Sequence, residues 1–181
     1  MPNRMSLASV IQSIKAPWVV LLALNAGAHI EKVLHVPDGF GLYVLRGAKC
    51  RTAAALFQEF ARALKFPDYF GHNWDALEEC LADLEWLPSK GYVLAVTEAE
   101  QVLMKEEDDY STFLEVLSDA GEAWAAGQAG PGSRRPFHVI LTVSAPQRLK
   151  RAHWSIPDVD LEAGVRQRRP KTSRKRPSSG T

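Results

Sequence analysis

Residues 66–88 read FPDYFGHNWDALEECLADLEWLP, and the fold is read outward from them. An aromatic loop, Phe66 to His72, leads into Asn73, which stands where a helix N-cap belongs because its side-chain oxygen can take an orphan backbone N–H. Trp74, Leu77, Leu81 and Leu84 recur at helical spacing and predict a buried stripe. Asp75, Glu79 and Asp83 recur one turn apart, with Glu78 beside them. Like charges at this spacing cost an isolated helix about a few tenths of a kcal/mol per pair. The positive helix N-terminus offsets part of that for Asp75 and Glu79. No lysine or arginine lies between Lys65 and Lys90 to neutralise the stripe. On charge alone, a solvated acidic face and a docking surface for a basic partner both fit.

The same segment resembles the core motif of the barstar family, the intracellular inhibitors of barnase-type ribonucleases. The matching residues are Pro67, the acid at Asp68, Tyr69, Phe70, Gly71, Asn73, Asp75, Ala76, Leu77, the acid at Glu79 and Leu81. No simple helical pattern generates that combination. The resemblance extends over roughly residues 42–143. It implies a three-stranded parallel sheet layered with helices, and a protein that binds a basic ribonuclease or related nuclease toxin one to one and performs no chemistry. By the same resemblance, Glu79 takes the central acid position that enters the phosphate pocket of the enzyme. Asp75 matches a second acid that faces arginine, and Tyr69 the aromatic that packs on the catalytic histidine. Asp119 matches an acid from the last helix, while Gly71, Asn73 and Trp74 fall in the contacting loop and helix start. Position 79 carries glutamate where the namesake has aspartate, 119 carries aspartate where it has glutamate, and Glu78 replaces an aromatic. These departures keep the sign of the surface and alter its reach.

The 181 residues suffice for one domain with extensions, and 46% hydrophobic residues with five tryptophans are ample for a core. A formal net charge of +1 hides an asymmetry. Between Lys65 and Glu122 fifteen acids stand against three bases, and between Arg148 and Arg176 ten bases against three acids. Such polarity suggests two surfaces with different partners, or one surface answering the other. Cys50 and Cys80 lack the spacing of a zinc site and fit buried thiols in a reducing compartment, with a single disulfide left open.

The five histidines, His29, His35, His72, His138 and His153, lie in no nucleophile-elbow motif, and there is no glycine-rich phosphate loop after a strand. The acidic cluster lacks the loop spacing of a calcium site. No enzyme, metal or cofactor is therefore expected. His138 reads as strand packing, and His72 is the one histidine placed at a working surface.

Along the chain, residues 6–15 predict an amphipathic helix capped by Ser6. Residues 18–24, WVVLLAL, predict a strand covered on both faces rather than a signal peptide, which places the protein in the cytoplasm. Residues 29–36 fit a short helix or a strand. Residues 1–40 are expected to pack on the domain as an extension, with Trp18 and Leu21 buried, because forty residues rarely bury a core alone.

The matched domain, residues 41–145, should then run strand (41–46), helix from Thr52 to Lys65, acidic helix, strand (91–96), a short helix and mobile loop within 98–109, a helix capped by Ser111, a loop, and strand (137–143). Residues 146–181 form a C-terminal segment, disordered from about Gly164 because it has almost no apolar residue. Its cluster from Arg166 to Arg176 suits non-specific phosphate binding. It equally suits folding back on the acidic helix, or serving only as a solubilising end. The second functional reading is therefore a nucleic-acid-associated protein that uses the basic tail, with the folded domain as an interaction module.

Overall fold

A computed structural model describes residues 5–25, 27–144 and 156–161. In chain order the elements are β1 (Met5–Ser6), α1 (Leu7–Ile11), β2 (Val19–Ala23), α2 (Ile30–Val33), β3 (Phe40–Arg46), α3 (Ala53–Leu64), α4 (Trp74–Asp83), β4 (Gly91–Thr97), α5 (Tyr110–Ala126), β5 (Phe137–Val143) and β6 (Val159–Asp160). The main sheet has the order β2-β5-β4-β3, and every pairing in it is parallel. The expectation of three strands is therefore corrected to four. The fourth is β2, which pairs Val19 to Ala23 with Val139 to Val143 along one edge of β5. Its continuous apolar run suits a strand covered on both faces, and pairing also satisfies its backbone groups.

Both faces of the sheet are covered. On one, Tyr92, Leu94 and Val96 of β4 and Phe137, Val139 and Leu141 of β5 meet Leu56, Phe60 and Leu64 of α3, Leu77 and Leu81 of α4, and Phe113, Leu117 and Trp124 of α5. On the other, Val93, Ala95 and Ile140 meet Leu7, Val10 and Ile11 of α1, Ile30 of α2, and Leu34. The alternation along β4 and β5 assigns odd and even residues to opposite layers. The extension thus supplies the second layer as well as a strand, which goes beyond packing on a finished domain.

Leu21 is buried as expected, whereas Trp18 is only half-buried. It lies over Gly121 of α5 and beside the His138 ring at 5.6 Å. A β-carbon on Gly121 would stand 2.6 Å from Cγ and 2.7 Å from Cβ of Trp18, the rigid base of that side chain. Gly121→Ala is therefore expected to lower stability by about 1–3 kcal/mol, read from denaturant midpoints. An unchanged midpoint would show that Trp18 does not seal against α5. His138 is buried, and its two ring nitrogens lie 3.1 Å from the Pro17 carbonyl and 2.7 Å from that of Ser13. It ties the extension to the middle of β5, and burial pushes its pKa down although both carbonyls pull upward.

Several local boundaries differ from the sequence reading. The first helix is a single turn or so, Leu7–Ile11, and Ser6 makes no side-chain cap bond; it lies in β1, which pairs with β6. Residues 30–33 resolve as a short helix. Two 3-10 turns, Ala99–Gln101 and Glu107–Asp109, occupy the acidic stretch before α5. That helix begins at Tyr110, one residue before the expected Ser111 cap, and Asp109 at its N-cap makes no side-chain bond. Thr52 does cap α3, accepting from Ala55 N–H at 3.3 Å. Cys50 and Cys80 are both free and buried, and burial pushes the Cys50 thiol up to about 12. The expected disordered tail from Gly164 lies outside the described residues.

One buried carboxylate organises the rim of β3. Glu59 of α3 is 4% exposed and accepts from Arg46 Nε (2.9 Å), Arg46 Nη2 (2.7 Å), Arg62 Nε (3.0 Å), Arg62 Nη2 (2.6 Å) and the Arg46 backbone N–H (2.9 Å). Burial alone would raise its pKa. The bonds from Arg46 and Arg62 outweigh that and hold it at about 2, below the ordinary 4.5. A depressed folded-state value contributes stability that is complete above the unfolded value and lost as pH falls toward the folded one. Wild type is expected to lose on the order of 3 kcal/mol between about pH 4.5 and about pH 2 through this group. Acid titration of Glu59→Gln should lack that component; identical acid limbs would refute it.

Candidate functional site: the loop before α4 and its acidic face

The acidic helix is set in place by aromatic packing behind it. α3 ends at Lys65, whose φ of +50° turns the chain out of the helix. Phe66 then packs edge-on against Phe70 at 4.8 Å and Trp86 at 6.0 Å, and Phe70 meets Phe57 at 6.4 Å. Trp86 Nε1 donates to the Leu64 carbonyl at 2.8 Å, closing the cluster. Phe70 is 5% exposed while its neighbour Tyr69 is 73% exposed. Burying one of two adjacent aromatics projects the other into solvent. An exposed tyrosine on a firmly anchored loop is a ready contact group.

Asn73 caps α4 as expected, with Oδ1 accepting from Ala76 N–H at 2.8 Å and Nδ2 donating to the Gly71 carbonyl at 3.3 Å. A β-carbon on Gly71 would crowd this cap, lying 3.1 Å from Asn73 Nδ2 and 3.3 Å from Ala76 Cβ. Leu77, Cys80, Leu81 and Leu84 are buried. Trp74, expected in that stripe, is only half-buried, because it sits at the helix start with its ring edge-on to Phe57 at 4.9 Å. At the other end, Trp124 Nε1 donates to the Leu81 carbonyl and Gly130 N–H to that of Ala82, at 2.8 and 2.7 Å. The helix is thus held at its back and at both ends.

Asp75, Glu78 and Glu79 all project into solvent on its front. Among the described residues none of them has an ion pair; the two ion pairs found there belong to Glu59 with Arg46 and Arg62. Tyr69, Phe70, Gly71, Ala76, Glu79, Cys80 and Asp83 line a small cleft of about 140 Å³. The Tyr69 phenol is pushed up by desolvation and then by the charge of Asp83. A negative cleft walled by an aromatic ring suits a cationic group, and the exposed carboxylates offer bidentate acceptors to guanidinium.

Seven of the eight expected site residues, Tyr69, Gly71, Asn73, Trp74, Asp75, Glu78 and Glu79, lie on the loop and the first two turns of α4. Asp119 is not among the residues that line the Tyr69 cleft. It is exposed on α5 and lines a different groove of about 400 Å³ with Trp18, Leu114, Ser118, Ile156 and Pro157. Asp83 was not among the expected site residues, although it continues the Asp75, Glu79 spacing by one turn; that periodicity is the signal that would have found it. Among the described residues no three His, Cys, Asp or Glu side chains gather as a metal site requires, and no helix is long and apolar enough to cross a membrane.

Comparison with known proteins bears on this surface. The family model described as Barstar (barnase inhibitor) matches residues 40–142, which spans β3 to β5 and includes the loop and α4. The comparison with curated proteins gives no match. Among solved structures, the Aeropyrum pernix ORC2 protein in its ADPNP-ADP complexes is similar at a TM-score of 0.48 and 10% identity. That match covers 86% of this chain and 43% of the other, so the chain spans less than half the length of that protein. With more than half of its length matched by the family model, the chain belongs to the barstar family, whose members are inhibitors of barnase-type ribonucleases and not enzymes.

Proposed function

We infer that the protein inhibits a basic ribonuclease or related nuclease toxin in the cytoplasm, one to one, by laying the acidic face of α4 and the Tyr69 loop over the enzyme's active site. The observation that carries this is the group of exposed carboxylates Asp75, Glu78 and Glu79, without an ion pair among the described residues, beside an exposed Tyr69 on a helix anchored at its back. A ribonuclease must attract RNA phosphate, so its cleft is basic. Carboxylates placed where phosphates sit form charge-assisted, bidentate bonds with its arginines. Long-range attraction also accelerates capture, which matters when a toxin must be stopped before it cuts RNA.

Glu79 is the central anion in this reading, Asp75 faces a second cation, and Tyr69 packs on the catalytic histidine. Gly71 and Asn73 let the enzyme approach the backbone, and Trp74 and Glu78 border the contact. Asp119 joins only if the enzyme also reaches the groove beside Trp18.

A ribonuclease assay tests the reading. Activity of a barnase-type ribonuclease should fall to baseline at one molar equivalent, and association should slow with added salt. Full activity in the presence of a large excess of the folded protein, across a set of such enzymes, would sink it.

A further inference from the structure

We propose that His72 makes capture of the ribonuclease proton-linked: neutral His72 offers the basic partner an acceptor, and protonated His72 repels it. The inference rests on the reading of the acidic face as the ribonuclease-binding surface. It concerns a residue to which the family motif assigns no part.

The geometry decides which form suits the partner. His72 has φ +51° and packs its ring on Phe70 at 4.7 Å. Its Nδ1 lies 2.9 Å from the Phe70 carbonyl oxygen. A carbonyl oxygen only accepts, so Nδ1 carries the hydrogen and, in the neutral ring, Nε2 is an acceptor. The residue is exposed between Gly71 and the Asn73 cap, the two positions where the proposed function brings the enzyme against the backbone. Protonation turns its one acceptor into a donor and adds a positive charge against a cationic surface.

The charged groups on the elements around it are Asp68 in the loop, Lys65 after α3 with the Glu59 and Arg62 pair within that helix, and Asp75, Glu78, Glu79 and Asp83 on α4. A docked enzyme brings arginines and lysines toward this loop, so the charged ring meets repulsion that the neutral ring does not. Binding therefore expels the proton, and by linkage the proton weakens binding. His138 has no such role, since it is buried with both nitrogens against Ser13 and Pro17.

The test measures dissociation constants with a barnase-type ribonuclease at fixed ionic strength for the full chain and two variants. His72→Asn keeps the positive φ, which asparagine tolerates, and cannot take the proton. His72→Lys carries a permanent charge. Enzyme titrations are common to all three and cancel in the comparison.

Between about pH 7.5 and about pH 5.5, where imidazoles ordinarily titrate, wild-type affinity should weaken at least about fivefold more than that of His72→Asn. His72→Lys should bind at neutral pH about as weakly as wild type does in acid, with the slope of His72→Asn. Tight binding with equal slopes in wild type and His72→Asn, or tight neutral binding by His72→Lys, overturns the inference alone. Absence of binding by wild type at every pH overturns the parent reading and the inference with it.

Discussion

Deletion of residues 1–36 is expected to abolish cooperative folding of the remaining chain. The matched region alone begins at Phe40, so a family-based boundary would place this cut outside the domain. The structure places it through the sheet. Removal of β2 leaves the whole edge of β5 unpaired along five residue positions, from Val139 to Val143. It also strips α1 and α2 from the second face and uncovers Val93, Ala95 and Ile140, which are now fully buried, together with half-buried Phe40, Leu42 and Val44.

The deleted segment's own ordering entropy disappears with it, so the effect is read from what is newly exposed. At about 1.5–3 kcal/mol for each large aliphatic side chain, that surface amounts to about 5 kcal/mol or more. Such a loss is comparable with the entire stability of an ordinary domain, about 5–15 kcal/mol. A bare, flat, hydrophobic edge is in addition a template for strand addition by a second copy. The fragment should be insoluble, or should melt without a cooperative transition in calorimetry. A soluble monomer with a sharp thermal transition would show that the second layer is dispensable.

Glu79→Ala is expected to be the most damaging single truncation for ribonuclease binding, with Asp75→Ala next. Glu79 is exposed in the free protein and borders the Tyr69 cleft. In the proposed complex it faces a buried arginine. Truncation leaves that arginine desolvated without its carboxylate, so the lost bond and the retained penalty add. The expected loss is on the order of 2–5 kcal/mol, a magnitude carried over from charge pairs between barnase and barstar, the family's namesakes.

Stability of the free protein should stay level or rise slightly, because the change relieves repulsion with Asp75 and Asp83 one turn away on either side. That separation of binding from folding makes the variant informative. Paired isothermal titration and thermal melts check it. Unchanged affinity in both Glu79→Ala and Asp75→Ala would sink phosphate mimicry by these carboxylates.

The helices and core strands of the matched region were legible locally because each signal was local. Asn73 and Thr52 announced their caps, Leu77 and Leu81 announced a buried face, and the burial of β4 on both faces follows from its uninterrupted apolar run. The exposed acids of α4 were legible for the same reason, since helical periodicity alone separates them from that face.

Other features depended on contacts between residues far apart in sequence. Nothing within residues 19–23 says that they pair with residues 139–143, so only the folded chain decided that the extension completes the sheet. Glu59 reads as an ordinary solvated helix acid until Arg46, arriving from β3, joins Arg62 around it and makes burial tolerable. Trp74 matched the apolar stripe yet is half-buried, packed edge-on against Phe57 at the border of the core. Asp119 is exposed on α5 and lines a second groove with Trp18 and Ile156, a neighbourhood that its charge and spacing did not announce. The sequence by itself determined which residues face inward and the charge of the outward face. Tertiary structure decided which surfaces meet, because that depends on pairings whose partners lie a hundred residues apart.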